Sequence, residues 1–100
     1  CTAVAPCSSA TGTRAVDGSG WVSIDVSKYL ATLPIDPRAA DATYTDAVGS
    51  LVTAEYRYAN DGTSYELQTH LESTSNAHYF TEDGGNNAGS YEIGTKLTIL

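Results

Sequence analysis

Alternation of apolar and polar residues is clearest from Val52 to Glu72, where it predicts one β-hairpin. The runs 52–58 and 65–71 each place mainly apolar side chains at every second position, which is the period of a strand with one buried face. Asp61-Gly62 lies between the two runs. This pair suits a two-residue type I′ turn, because both central residues of that turn take positive φ.

The turn also predicts which residues of the hairpin face each other. Tyr58 would lie opposite Tyr65, and Arg57 would lie opposite Glu66. Apolar then faces apolar and cation faces anion across the two strands. A three-residue loop with a bulge would pair Tyr58 with Ser64 and mix the two faces, so the pattern argues against it.

A helical spacing replaces the strand pattern in a shorter segment. Apolar residues at positions 26, 29, 30 and 33 predict a helix from about Ser27 to Leu33. Asp25 or Ser27 would cap its N-terminus, and Pro34 would end it. The predicted helix has barely two turns, so packing must hold it.

The remaining chain is predicted to form two connections and one more strand. Residues 38–50 are expected to be a polar connection, and residues 73–90 a loop much longer than a tight turn. Alternation returns from Tyr91 to Leu100 and predicts the last strand. We therefore expect an α+β fold with a short helix and an antiparallel sheet of three to four strands. One sheet face would carry Tyr56, Tyr58, Tyr65, Leu67, Leu71, Leu97 and Ile99.

A length of 100 residues predicts a single domain. Residues 1–20 are rich in Ala, Ser, Thr and Gly and are expected to be irregular, and residues 21–100 to form the globular part. The short helix and Trp21 are little material to cover a whole apolar sheet face. Because the chain starts at Cys1 and contains no Met, we expect a preceding helix to have been removed.

The charge balance argues against nucleic acid as a ligand. The chain has 12 acidic and 5 basic residues and a formal net charge of -7, so it repels a phosphate backbone. No apolar run approaches the roughly 20 residues that a membrane-spanning helix needs.

The cysteines leave two alternatives open. Cys1 and Cys7 are close enough in sequence to form a disulfide, and an acidic, Ser- and Thr-rich chain is typical of secreted proteins, in which thiols oxidise. Two free or differently paired thiols are the other alternative. A zinc site is not expected, because both histidines lie more than sixty residues away.

Candidate catalytic residues are few. His70 is predicted on a polar strand face with Glu66 and Glu72, and His78 lies in the long loop. No known catalytic motif surrounds either histidine. A row of polar residues two or four apart is typical of a solvated strand face, so we expect no enzyme.

Aromatic residues raise another possibility, a small carbohydrate-binding or adhesive module. The chain has seven tyrosines and one tryptophan, and aromatic faces stack on sugars. The hairpin tyrosines fall on the predicted core face, however. Only Tyr44 and Tyr79 are expected to be exposed and free for display to a ligand.

Several short segments together resemble the globular domain of type IV pilin-like proteins. The similarity covers about residues 18–100 and is strongest to the major pseudopilins of type II secretion and to short bacterial pilins. The segments are, in order, Trp21-Val22, Leu33-Pro34-Ile35-Asp36-Pro37, Tyr56-Arg57-Tyr58, Tyr65-Glu66-Leu67, Leu71-Glu72-Ser73 and Asp83-Gly84-Gly85-Asn86-Asn87.

The resemblance implies a structural subunit of an extracellular filament at the cell surface. In that family a long N-terminal helix anchors in the membrane and then in the filament core, and its other half packs on the sheet. The implied partners are copies of the chain itself, other pilins and secretion-machinery proteins. The anchor helix is absent from these 100 residues.

The resemblance also implies a structural calcium ion in the loop before the last strand. Oxygen-rich side chains and flexible glycines suit a cation that takes about 6–8 oxygen ligands. Asn86 and Asn87 carry amides, whereas a strong calcium site would have aspartates at such positions. A solvated polar loop without calcium is therefore the alternative. The implied ligands are Glu82, Asp83, Asn86 and Asn87, with Glu72 and Ser73 as further contributors.

Overall fold

The computed structural model describes all 100 residues and has an α+β fold. Four strands form an antiparallel sheet in the order β1-β4-β5-β6, and β2 and β3 form a separate two-stranded ribbon. The predicted small antiparallel sheet is therefore confirmed. The strands are β1 (Cys7–Ser8), β2 (Thr43–Thr45), β3 (Leu51–Thr53), β4 (Arg57–Asn60), β5 (Tyr65–Thr69) and β6 (Tyr91–Gly94), and the one α-helix is α1 (Tyr79–Glu82).

The predicted hairpin forms between β4 and β5, but its predicted register is wrong by two residues. Tyr58 lies opposite Leu67, and Asn60 lies opposite Tyr65. A four-residue loop replaces the predicted two-residue turn, because the Asp61 carboxylate accepts hydrogen bonds from the backbone N–H groups of Thr63 and Ser64, at 3.1 and 2.8 Å. A side chain that bonds its own loop in this way stabilises a wider turn.

The predicted first strand of the hairpin is also divided. Leu51–Thr53 pairs with Thr43–Thr45 rather than with β5, so the connection predicted over residues 38–50 contains a strand. A 3₁₀ turn, Ala39–Asp41, precedes that strand. The backbone N–H of Ala47 donates to the Leu71 carbonyl at 2.7 Å, which ties the ribbon to the end of β5.

The helix predicted over Ser27 to Leu33 is wrong. Tyr29 and Leu30 both donate to the Val26 carbonyl, at 2.9 and 3.0 Å, but the turn does not continue. Leu33 instead exchanges hydrogen bonds with Arg14. A segment this short has little intrinsic helix stability, so tertiary contacts decide its backbone bonding.

The long loop over residues 73–90 contains the only α-helix. A 3₁₀ turn, Thr74–Asn76, leads into α1, and Phe80 on that helix is buried. The ring of Phe80 meets the ring of His70 edge to face, with centroids 6.2 Å apart. The loop is therefore packed on the domain by its own aromatic residue.

The last strand is shorter than the predicted Tyr91 to Leu100, because β6 ends at Gly94. A Cβ at this glycine would overlap the Tyr65 carbonyl oxygen, so the backbones approach too closely for a larger residue. Beyond it, Thr95 and Lys96 both donate to Tyr65 O. Leu97 and Ile99 therefore do not lie on a strand of the sheet.

Among the N-terminal residues, Cys7–Ser8 forms β1 at one edge of the sheet. Cys1 and Cys7 form a disulfide with a Cα–Cα distance of 4.9 Å. Cys7 then pairs with Tyr58 at the start of β1. None of the helices is long and apolar enough to span a membrane. The buried apolar residues are Trp21, Leu33, Tyr44, Ala47, Ala54, Ala59, Phe80 and Ile99.

Candidate functional site

The two faces of the four-stranded sheet are covered unequally. Tyr58, Leu67 and Ile93 form one cross-strand row, and the first two are half-buried and the last is 49% exposed. The opposite face, which was predicted to be polar and solvated, is buried at Glu66 and Gln68. The predicted apolar face therefore exists, but it is the more open of the two faces.

An apolar groove of about 260 Å³ lies on the open face. Its walls come from three adjacent parts of the fold: the end of the 21–34 segment, the central strands and β6. The lining side chains are predominantly apolar or aromatic. They include Pro34, Tyr56, Leu67, Thr69, Tyr91 and Ile93.

A second depression continues the groove beneath the 21–34 segment. Pro34 and Leu67 line both cavities, so the apolar surface is continuous. Ile24 and Leu30 lie at its outer side and remain exposed. The indole N–H of Trp21 donates to the Pro34 carbonyl at 2.9 Å, which joins the two ends of this segment. The segment covers only part of the apolar face.

Aromatic rings are displayed beside the groove. Tyr58 stacks on Tyr65 with centroids 6.4 Å apart, and Tyr79 meets Tyr91 edge to face at 6.1 Å. His78 lies 4.1 Å from the Tyr79 ring. Tyr65 and Tyr79 are both exposed.

The expectation that Tyr44 is free for display is wrong. Tyr44 is buried, and its hydroxyl donates to the His70 carbonyl at 2.9 Å. Burial, followed by the negative charge of Asp36, raises the pKa of Tyr44 to about 12. This phenol is a neutral structural donor.

Two glutamates on the opposite face form a buried carboxyl pair. Glu66 is 0% exposed and Glu92 is 1% exposed. Gln68 lies between them, and its amide nitrogen donates to Glu66 Oε1 at 2.9 Å and to Glu92 Oε1 at 3.3 Å. The prediction that Glu66 belongs to a solvated row with His70 and Glu72 is wrong, because the residues after β6 cover this face.

The pKa values of the two carboxyls are shifted in opposite directions. Burial is the largest influence on the pKa of Glu92 and raises it, and the hydrogen bond to Glu66 acts in the same direction. Burial also acts to raise the pKa of Glu66, but hydrogen bonds from Leu100 N–H, the Glu92 carboxyl and Ile99 N–H together hold it below its ordinary value. Glu92 therefore releases its proton at a higher pH than Glu66 does.

The residues implied for calcium are only partly brought together. Asp83 and Asn87 lie next to β6, and their side chains bond backbone N–H groups: Asp83 Oδ2 accepts from Glu92 N at 2.7 Å, and Asn87 Oδ1 from Gly89 N at 3.0 Å. Asn86, with its amide nitrogen turned toward the acceptors, donates to Leu97 O and Glu92 Oε1, both at 3.0 Å.

The other implied ligands lie elsewhere. Glu72 forms an ion pair with Arg38 at 3.0 Å. Ser73 precedes the 3₁₀ turn, and Glu82 is exposed at the end of α1. No group of three or more acidic, His or Cys side chains in the structure is arranged to hold a metal ion. A calcium ion in this loop stays a prediction.

One histidine faces a carboxylate. His70 Nδ1 lies 3.5 Å from Asp46 Oδ2, and neither atom makes a hydrogen bond. Asp46 is buried and uses its other oxygen to accept from Val48 N and Ser50 N, at 3.1 and 2.9 Å. His70 thus joins the two-stranded ribbon to β5, while His78 is exposed in the long loop.

Sequence reasoning missed the Glu66 and Glu92 pair altogether. Alternation assigns polar residues of a strand to water, and both glutamates follow that pattern. Gly85 is a weak signal of the buried Glu92 carboxylate, because a Cβ at position 85 would overlap that carboxylate.

Comparison of the chain with protein-family models, curated proteins and solved structures gave no match.

Proposed function

We propose that this chain is a structural subunit of an extracellular filament, a type IV pilus or type II secretion pseudopilus, that acts by self-assembly and not by catalysis. The observation that carries the proposal is the open apolar groove between Pro34 and Ile93. Exposed apolar surface that is continuous and rimmed by polar residues marks an interaction site.

A helix is the element that suits this groove. The groove runs over a sheet face, and an amphipathic helix presents an apolar stripe of the kind that packs on such a face. Ile93 and Leu67 are adjacent on neighbouring strands and would contact that stripe. This arrangement agrees with the resemblance to pilin-like proteins, in which a long helix packs on the sheet of the head domain.

Other features support an extracellular location. The Cys1–Cys7 disulfide belongs to a class of cross-link that persists in oxidising compartments.

The loop before the last strand suits a role in assembly. Side-chain hydrogen bonds to the backbone hold the 83–90 loop in one conformation. Repeated lateral contacts between subunits need loops of this kind.

Photo-cross-linking in the full-length protein tests this proposal. When a photoreactive phenylalanine analogue replaces Ile93 in cells that make the protein, it should cross-link to an apolar helical segment. The cross-linked protein from these cells should form a ladder of oligomers. Val48 is the matched control, since it is 53% exposed against 49% for Ile93 but lies on the ribbon turn. Cross-linking to a helical segment from position 48 but not from position 93 would exclude the groove as the binding site of the helix.

The encoding gene provides an independent criterion. About 20 apolar residues after a short basic leader, upstream of Cys1, would agree with a pilin-like anchor helix. A conventional cleaved signal directly before Cys1 would contradict the filament role and favour the second candidate.

The second candidate is a secreted carbohydrate-binding or adhesive module. The exposed ring pairs formed by Tyr65 with Tyr58 and by Tyr79 with Tyr91 favour it, because stacked rings beside an apolar groove suit a sugar face. Titration with soluble polysaccharides should then shift the NMR signals of these rings, and Tyr79→Ala should weaken binding. Unchanged spectra across a polysaccharide panel would remove this candidate.

A further inference from the structure

The loop that precedes β6 closes against that strand through its own side chains. Asp83 forms hydrogen bonds at both of its oxygens: Oδ1 accepts from Gly85 N at 2.8 Å, and Oδ2 accepts from Glu92 N at 2.7 Å. Asn87 Oδ1 accepts from Gly89 N at 3.0 Å. The start of the loop is therefore joined directly to the strand that follows it.

The carboxyl group of Glu92 is the centre of a second set of hydrogen bonds. Glu92 is 1% exposed, and its Oε2 accepts from Asn87 N at 2.9 Å. Its Oε1 accepts from the amide nitrogens of Gln68 and Asn86, at 3.3 and 3.0 Å. Neutral N–H groups thus reach both oxygens of a buried carboxyl group, whose burial without hydrogen bonds would be costly.

Gly85 shows how closely the loop covers this carboxyl group. A Cβ at position 85 would overlap Glu92 Oε2. The backbone conformation of Gly85 does not itself demand glycine, because its φ is not positive, unlike that of Gly84 at 87°. The close approach to Glu92 therefore explains why residue 85 has no side chain.

The carboxylates that the resemblance implies for calcium are few at this point of the fold. Glu72 is paired with Arg38 at 3.0 Å, and Glu82 is exposed at the end of α1. Asp83 is the one implied carboxylate that joins the loop to β6. Calcium takes about 6–8 oxygen ligands, and the number of charged ligands sets its affinity, so this set is poor in charge.

The orientation of the Asn86 amide distinguishes a hydrogen-bonded loop from a calcium site. With its nitrogen turned inward, the amide donates to Leu97 O and Glu92 Oε1, both at 3.0 Å. With its oxygen turned inward, three acceptor oxygens would face one another, and they would need a cation between them. The N–H groups of Gln68 and Asn87 already point at the same carboxyl group, and they would repel such a cation.

We propose that hydrogen bonds centred on Glu92 and Asp83 fasten the 83–90 loop to β6 and take the place of the calcium ion that the resemblance implies. The order of the loop is then a property of the metal-free chain, and its conformation does not change with the calcium concentration. This inference is independent of the filament role, because it concerns the loop alone.

Amide hydrogen exchange of the 100-residue chain, measured with a calcium chelator and again with added calcium chloride, tests the proposal. The amides to follow are the backbone donors Gly85, Asn87, Gly89 and Glu92. With chelator they should exchange at least about tenfold more slowly than in an unstructured peptide. Added calcium should change these rates by less than about twofold, because a cation that does not bind the folded chain cannot stabilise it. Protection that appears only with calcium would overturn the proposal.

Gly85→Ala tests the same contacts without removing an oxygen ligand. Its methyl group would displace the Glu92 carboxyl group, so the amides of Asn87 and Glu92 should exchange at least about tenfold faster, with chelator and with calcium alike. Gly89→Ala is the matched control, because a Cβ there meets only Asn87 Oδ1, at 3.3 Å, and both amides should stay protected. Unchanged exchange in Gly85→Ala would also overturn the proposal.

Discussion

Phe80→Ala is the substitution that best tests how the 73–90 loop is held. Phe80 is 1% exposed, although it lies on a helix of only four residues. Its ring packs edge to face on His70 at 6.2 Å, so the helix is fixed by tertiary contact. Since isolated short helices are unstable in water, removal of this ring should release α1 and the loop around it.

The expected cost of Phe80→Ala is about 3–5 kcal/mol, the usual range for a fully buried Phe. A domain of this size has roughly 5–15 kcal/mol of stability in total, so the loss should be plain in a urea titration. Hydrogen exchange should show the residues around α1 opening first.

Tyr79→Ala is the matched control for Phe80→Ala. Tyr79 is the neighbouring aromatic on the same helix but is 45% exposed, and its loss should cost less than about 1 kcal/mol. If Phe80→Ala costs no more than Tyr79→Ala, the loop is not held by this ring and the packing argument fails.

Three other substitutions have defined outcomes. Replacing Cys1 and Cys7 by Ser should lower stability by about 2 kcal/mol in urea unfolding, since the disulfide closes a short loop; no loss would mean that this loop is ordered without it. Tyr44→Phe should cost about 1 kcal/mol by removing the bond to His70. Because the folded pKa of Tyr44 is raised to about 12, that advantage should persist to pH 10 and be lost toward pH 12, and a constant difference across that range would contradict it. Asp46→Ala removes the acceptor of two backbone N–H groups in its own turn and should cost about 1–3 kcal/mol in the same assay, whereas an unchanged midpoint would show that water replaces the carboxylate.

Local patterns predicted the location of the hairpin but not its register. Alternation identifies strands because it depends on successive side chains alone. β5 lies within the predicted run 65–71, whereas β4 overlaps the predicted run 52–58 only at its end. The register depends on the loop, and the Asp61 carboxylate stabilised a wider loop than the Asp61-Gly62 pair indicated. A two-residue shift keeps the same side chains on each face. Tyr58 and Leu67 therefore lie on the same apolar face, as predicted, despite the wrong register.

Burial could not be predicted from the same patterns. Which sheet face is covered depends on residues distant in sequence. Here it is the segment after β6, whose backbone N–H groups donate to the Glu66 carboxylate. The helix over Ser27 to Leu33 failed for a related reason. Its last residue bonds Arg14 instead of its own preceding turn, a contact that no local spacing reveals.

The two faces of the sheet differ in the surface that they offer to a partner. On the face that carries Glu66 and Glu92, both glutamates are buried, and their Oε2 atoms accept from backbone N–H groups. On the open face, Leu67 and Ile93 retain apolar surface whose burial yields about 2.5 kcal/mol for every 100 Å² removed from water. Because side chains alternate along β6, Ile93 points away from the site that its neighbour Glu92 occupies. A partner helix can therefore bind the open face without contact with the buried Glu92 carboxyl.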